Sequence, residues 1–137
     1  MVARTWTAVL LAGVLGAHMA SGAIVINEIV YRDGGAFAGS GDWIELFNDA
    51  STARDVSGWQ VKDDDDTHVY TIPAGTIIPA YGYLVVYGDA NFASVYPGVT
   101  NRVGPFTYGL GMPDAVRVFD DSNDLKNEVA YKVGTAG

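Results

Sequence analysis

The chain contains no cysteine, and only eight of its 137 residues are lysine or arginine. Without cysteine it cannot form disulfides, thiolate metal sites or a cysteine nucleophile. Sixteen aspartates and glutamates oppose the basic residues, so the net charge is -8 and the isoelectric point is about 4.4. Such a charge balance disfavours nucleic acid as a partner. The length fits one domain and leaves little room for a second.

Histidine is also scarce, because His18 and His68 are the only two in the chain. The sequence has no HExxH pair, no Gly-x-Ser-x-Gly elbow and no phosphate-binding loop ending in Gly-Lys-Ser or Gly-Lys-Thr. A glycosidase with paired carboxylates needs a cleft, and the loops are too short to build a deep one. We therefore predict that the chain is not an enzyme. His68 is interpreted as a histidine at the start of a strand rather than as a general base.

The N-terminal segment has the pattern of a secretion signal. Arg4 precedes an apolar run over residues 5–17, which is shorter than the roughly twenty residues that cross a bilayer. Small residues follow at Ser21, Gly22 and Ala23, as a signal peptidase requires. We expect residues 1–23 to be a signal peptide that is cleaved after Ala23, which leaves no membrane span. The mature protein is then secreted, periplasmic or on the cell surface; an uncleaved anchor and a buried helix are the alternatives.

Short runs rich in valine, isoleucine and aromatic residues recur between clusters of glycine, aspartate, asparagine and proline. Because helical periodicity does not persist anywhere, this pattern predicts an all-β chain. The close spacing of the runs favours two packed antiparallel sheets over a parallel sheet with crossover helices. The predicted strands cover residues 24–30, 43–47, 59–62, 69–72, 76–78, 83–87, 115–119 and 128–131.

Alternation within these strands predicts which side chains face the core. Ile44 and Leu46 should share one face of their strand. Val116 and Val118 should face the core, because Arg117 between them prefers solvent.

Turn-forming residues and one long excursion separate the strands. Residues 33–41 are expected to form a flexible link, and residues 73–75 and 79–82 to form tight turns. Residues 89–112 lack a strand pattern but carry several aromatic residues. We therefore expect a partly packed excursion with aromatic anchors there, not a disordered linker.

Asp63, Asp64, Asp65 and Asp66 are the strongest candidates for metal chemistry. Four adjacent carboxylates repel one another, and a hard divalent cation such as calcium relieves that repulsion with oxygen ligands. Neighbouring side chains on a strand point to opposite faces, so only a turn could bring three of them together. A weak calcium site and a solvated hairpin loop remain the two alternatives. For residues 120–124, a bound cation and a β-turn are likewise the two alternatives. No other cofactor is predicted.

Segments over residues 26–29, 42–48, 56–61 and 70–86 follow one another in a specific order. Together with residues 108–110, 115–120 and 128–131 they resemble the lamin tail domain family over nearly all of residues 24–133. The resemblance implies an immunoglobulin-like antiparallel β-sandwich. The residues that carry the family pattern are Asn27, Glu28, Trp43, Glu45, Asn48, Gly58, Trp59, Pro73, Gly75, Pro79 and Gly82.

Three of these residues are polar although they lie inside apolar strands. Asn27, Glu28 and Glu45 must there be solvated, paired or bonded to backbone amides. We interpret them as structural anchors at strand edges, with a functional site as the alternative. Trp43 and Trp59 suit the core of a sandwich or its rim.

The resemblance implies a non-catalytic binding or scaffolding module of an exported or cell-surface protein, with a protein or cell-surface ligand. The alternative is an N-terminal accessory module of a larger secreted enzyme, since relatives accompany nuclease, phosphoesterase or spore-coat-kinase-like domains. Family members continue beyond the strand at residues 129–131 into a last strand. The resemblance therefore implies that the domain over residues 24–137 lacks that strand, so we expect the chain to be either a fragment or a module whose partner strand lies elsewhere. An edge exposed in this way would favour self-association.

Overall fold

The structure is a computed structural model that describes residues 22–31 and 39–132. Most of the predicted signal peptide and of the predicted link over residues 33–41 lie outside the described residues. The elements within them are β1 (Ile24–Val30), β2 (Trp43–Asn48), β3 (Arg54–Asp55), β4 (Gln60–Lys62), β5 (Val69–Thr71), β6 (Ile77–Ile78), β7 (Tyr83–Tyr87), α1 (Phe92–Val95), β8 (Arg102–Val103), β9 (Asp114–Phe119) and β10 (Leu125–Tyr131).

Eight of these strands form two four-stranded sheets. The first sheet has the strand order β1-β2-β7-β8, the second has the order β10-β9-β4-β5, and β3 pairs with β6. Strands pair antiparallel except for β7 and β8, which run parallel. The predicted all-β antiparallel sandwich is confirmed, with one parallel pair that the sequence did not predict. In the described part of the chain, no helix is long and apolar enough to cross a membrane.

Each predicted strand is present, although β10 begins at Leu125 and not at residue 128. Three short elements were not predicted: β3, β8 and α1. Strands of two residues and a single helical turn contain too few side chains to show a period of 2 or 3.6 residues. Their positions depend on tertiary contacts instead.

The core lies between the two sheets. Ile44 and Leu46 from the first sheet and Val116 and Val118 from the second are all fully buried. The predicted inward faces of β2 and β9 are therefore confirmed. This burial removes apolar surface from water, which is the main favourable term in folding.

Arg117 does not extend into solvent as the sequence reasoning assumed. Its side chain is only 17% exposed. The Nε atom donates a hydrogen bond to the Asp63 carbonyl oxygen at 2.7 Å, and an amino group donates to the Asp66 carboxylate at 2.8 Å. An outward-facing arginine can thus be held against a neighbouring loop by its own donors.

The excursion over residues 89–112 is packed, as predicted. Phe92 in α1 and Phe106 are 1% and 2% exposed, respectively. The Asp89 carboxylate accepts a hydrogen bond from the Asn91 amide at 2.8 Å, just before the helix begins. Aromatic burial therefore anchors this segment at both ends, with Phe92 near its start and Phe106 near its end.

Candidate functional site

One row of side chains crosses the outer face of the first sheet. Val25 lies opposite Phe47 between β1 and β2, and Phe47 lies opposite Tyr83 between β2 and β7. The Phe47 and Tyr83 ring centres are 4.9 Å apart, and Tyr83 is 48% exposed. We call Val25, Phe47 and Tyr83 the aromatic row, after the two rings that Val25 flanks. The half-buried Phe47 ring and the exposed Tyr83 phenol can together contact both apolar and polar groups of a ligand.

Three predicted polar residues come together on the same face. Glu28 lies opposite Glu45, and Asn27 occupies the bulge of β1 beside them. The Asn27 amide donates a hydrogen bond to Glu45 Oε1 at 2.8 Å. Burial raises the pKa of Glu28, and the charge of Glu45 raises it further. These residues, named the polar trio here, therefore interact with one another next to the aromatic row.

The other end of this outer face is covered by the excursion. Trp43 and Tyr87 are opposite one another in β2 and β7. Phe92 stacks on Tyr87 at 5.4 Å and meets the edge of Trp43 at 6.0 Å, while Tyr96 lies 6.2 Å from Trp43. Trp43 thus belongs to a small aromatic cluster outside the main core. Its indole N–H has no hydrogen-bond partner.

Asn48 is fully buried and ties two neighbouring segments, residues 50–52 and 78–79, to the end of β2. Its amide donates to the carbonyl oxygens of Thr52 at 2.8 Å, Ile78 at 3.2 Å and Pro79 at 3.0 Å. Its side-chain oxygen accepts from the Ala50 amide at 3.1 Å. With its hydrogen-bonding capacity used on the backbone, Asn48 is a structural residue.

The remaining residues of the family pattern also support turns and core. Gly58 and Gly75 have φ values of 76° and 80°, which glycine adopts without strain. Trp59 is 8% exposed and belongs to the core between the sheets. The turn residues Pro73, Pro79 and Gly82 lie on the flanks of β6 and before β7.

A second candidate site lies on the inner face at one end of the second sheet. Asp63 directly follows β4, Asp114 opens β9, and Tyr131 ends β10. Asp114 and Tyr131 are opposite one another, and Asp63 continues the inward alternation of Val61. Asp63 is 3% exposed, and Asp114 and Tyr131 are each 8% exposed. Three adjacent strands therefore bring two carboxylates and a phenol to one buried corner.

Asp64 completes this group. Asp63, Asp64 and Asp114 each offer a carboxylate oxygen within 4.8 Å of the others. We call these three residues the acidic corner. The charge of Asp114 is the main cause that raises the pKa of Asp64. Asp114 is itself held by amides, since Oδ1 accepts from Ala115 at 2.7 Å and from Asp64 at 3.3 Å, and Oδ2 accepts from Gly111 at 2.5 Å.

The other two aspartates of the predicted run have different partners. Asp65 Oδ1 accepts hydrogen bonds from the Thr67 amide at 2.8 Å and the Thr67 hydroxyl at 2.7 Å. Asp66 is 82% exposed and pairs with Arg117 at 2.8 Å. The turn therefore places Asp63 and Asp64 beside Asp114 and directs Asp65 and Asp66 elsewhere.

His68 borders the acidic corner. Its Nδ1 lies 2.7 Å from Asp63 Oδ2, and its ring stacks on Tyr108 at 5.3 Å. The hydrogen bond with Asp63 is the main cause that raises the pKa of His68. The Tyr108 hydroxyl donates to the Val61 carbonyl oxygen at 2.7 Å, so the ring beneath His68 is fixed.

A groove of about 550 Å³ lies elsewhere, near the start of β1. Its cations are already paired: Arg54 donates to the Gly22 carbonyl oxygen at 3.0 Å, and Lys126 lies 2.7 Å from Asp120. Asp120 belongs to the predicted turn over residues 120–124, where it accepts hydrogen bonds from the amides of Ser122 and Asp124. These contacts stabilise a β-turn.

Sequence reasoning missed Asp114, Tyr131 and the Phe47–Tyr83 pair. Their proximity depends on which strands are neighbours and on the register between them, and one sequence does not specify either. The only local signal was Asp114, an acid at the start of an otherwise apolar strand. A carboxylate in that position needs a partner.

Two stacked sheets around a shared core, with turns and an aromatic cluster on the outside, define an immunoglobulin-like β-sandwich. The chain belongs to the lamin tail domain family, whose pattern it matches over residues 17–132. The family assignment made from the sequence is thus confirmed. No curated protein matches the chain.

Proposed function

We propose that the protein is a non-catalytic binding and scaffolding module of an exported or cell-surface protein. The aromatic row is the observation that carries this proposal. Large aromatic side chains are usually buried, and when exposed together they are typical of binding surfaces. Membership of a family of immunoglobulin-like domains supports the same conclusion.

The composition of the outer face suggests how a ligand would bind. Phe47 and Tyr83 provide apolar contact area, and the Tyr83 hydroxyl provides a donor and an acceptor. The polar trio adds carboxylates and an amide next to the rings. A protein or cell-surface ligand with an apolar centre and basic or hydroxyl groups at its rim would match this surface, whereas a polyanion would be repelled.

The binding proposal can be tested with envelope fractions from the organism that encodes the protein. We expect saturable binding of the fluorescently labelled protein and a loss of about tenfold or more in the Phe47→Ser/Tyr83→Ser double variant. Leu125→Ser is the matched control, since Leu125 is 50% exposed but lies in β10 of the second sheet. Unsaturable binding, or equal binding by the double variant and the control, would contradict the proposal.

Export is the second part of the proposed function. Arg4, the apolar run over residues 5–17 and the small residues before Ile24 support it. Mass spectrometry of protein expressed with its own N-terminal segment should find a mature chain that begins at Ile24. An intact Met1 on protein recovered outside the cytoplasm would exclude cleavage.

A further inference from the structure

We propose that the acidic corner of Asp63, Asp64 and Asp114 binds one hard divalent cation of the calcium class. The three carboxylates come from two segments about fifty residues apart in sequence, and each offers an oxygen within 4.8 Å of the others. Calcium binds oxygen at about 2.3–2.6 Å, so two oxygens on one ion lie at most about 5 Å apart. The three oxygens therefore already meet the spacing that a shared ion requires.

The buried hydroxyl of Tyr131 is an independent reason to expect a ligand here. Tyr131 is more than nine-tenths buried, at 8% exposure, and its hydroxyl has no hydrogen-bond partner. A buried hydroxyl without a partner is costly, and buried hydroxyls normally have one. A bound cation would supply a partner, because the lone pairs of the phenol oxygen can face the ion or a water bound to it.

The register places Tyr131 on the same inner face of the second sheet as Asp114 and Asp63 of the acidic corner. Tyr131 and Asp114 are opposite one another in β10 and β9, so both side chains leave the sheet on its inner face. After burial, the charge of Asp114 is the strongest influence that raises the pKa of Tyr131, and Asp42 and Asp63 contribute as well. The phenol therefore shares the inner face with Asp114 but donates to no carboxylate.

The hydrogen bonds already present leave room for a cation. Asp63 accepts from the Asp65 amide at 2.8 Å and contacts His68 at 2.7 Å, one through each oxygen. Each carboxylate oxygen has two lone pairs, so both can also face an ion. Asp64 is exposed and can complete the coordination with solvent water. Fixed buried oxygens combined with an adaptable exposed one suit calcium better than magnesium, which demands near-ideal octahedral geometry.

Calorimetric titration of calcium chloride into chelator-treated protein tests the proposal. We expect one saturable site with a dissociation constant of about 10⁻⁴–10⁻³ M, the range of extracellular calcium modules. Magnesium chloride should bind more weakly. Asp64→Asn should weaken calcium binding about tenfold or more, because it removes one of three charged ligands. Asp64 is exposed, so this variant should fold even if Asp114→Asn does not.

Two control variants separate this site from general charge screening. Asp66→Asn removes a charge from the same aspartate run, and Asp121→Asn removes one from the β9–β10 turn, but neither belongs to the acidic corner. Both should bind calcium as the unaltered protein does. Equal calcium affinity in Asp64→Asn and Asp121→Asn, or no saturable binding up to several millimolar calcium, would overturn the proposal.

Tyr131→Phe provides a readout that a purely structural tyrosine would not give. Without calcium, the variant should melt at the same temperature as the unaltered protein or higher, because it removes an unpaired buried hydroxyl. With calcium, its gain in melting temperature should be smaller than that of the unaltered protein. An equal calcium-dependent gain in both proteins would show that the hydroxyl does not face the ion and would overturn this assignment.

Discussion

The backbone amide of Ile26 donates a hydrogen bond to the side-chain oxygen of Asn127 at 3.0 Å, across 101 positions of sequence. Ile26 belongs to β1 in the first sheet, and Asn127 belongs to β10 in the second. Both are edge strands, and they contact one another along one side of the sandwich. A side chain therefore links the two sheets where no backbone ladder joins them.

Asn127→Ala should remove this link. We expect the free energy of unfolding to fall by about 1–2 kcal/mol, because the part-buried Ile26 amide loses its acceptor. Urea unfolding at neutral pH measures the change. Asn127→Asp keeps an acceptor oxygen and should lose less, and if both variants lost the same amount the hydrogen bond would not be the cause.

Asn48→Ala should be among the most destabilising single substitutions in the domain. It leaves the carbonyl oxygens of Thr52 and Ile78 and the amide of Ala50 without their side-chain partner. We expect a loss of about 3 kcal/mol or more in urea unfolding, on the scale of several unsatisfied buried groups. Asn101→Ala also removes two hydrogen bonds to carbonyls, but at an exposed site, and should cost about 1 kcal/mol. Similar losses in the two variants would contradict the role of burial.

Gly88→Ala should destabilise the packed excursion. A Cβ atom at Gly88 would lie 2.4 Å from Cε2 of Phe106, a ring that is 2% exposed and cannot move freely. Overpacking of this kind costs about 1–3 kcal/mol. Gly98→Ala is the control, because a Cβ atom there meets nothing within 4 Å. Thermal unfolding should separate the two variants, and equal melting temperatures would mean that Phe106 can shift.

His68 should titrate above its ordinary pKa of 6.5 in protein kept free of divalent cations, mainly because of its hydrogen bond with Asp63. A pKa that is raised in the folded state stabilises the fold below the unfolded pKa. That stabilisation is lost as the pH rises through the folded pKa. NMR titration of the imidazole protons measures the value. Asp63→Asn should return the pKa of His68 towards 6.5, and an unchanged pKa would rule out Asp63 as the cause.

The strands could be predicted from the sequence because their signals are local. In β2, Ile44 and Leu46 alternate with outward-facing residues. This alternation predicts the buried face of β2 without knowledge of the fold. The turn at Gly75 and the excursion with Phe92 and Phe106 were also recognisable from residue types. The family pattern added the sandwich architecture.

The candidate sites could be predicted only in part, because they depend on register. The sequence identified Asp63 and Asp64 as metal candidates, but Asp114 lies fifty positions away from Asp64 in the chain. It reaches them through the pairing of β4 with β9. The aromatic row likewise needs the β1–β2–β7 order, which places Phe47 between Val25 and Tyr83.

The excursion over residues 89–112 limits the size of any ligand footprint on the first sheet, because its aromatic side chains already cover one end of the outer face. The aromatic row crosses three strands, a width of about 10 Å at the usual strand spacing. A standard protein interface covers about 800 Å² on each partner, which is far more than one such row. A single module would therefore hold its ligand weakly and release it quickly. Firm attachment would come from valency, with several copies engaging one surface together.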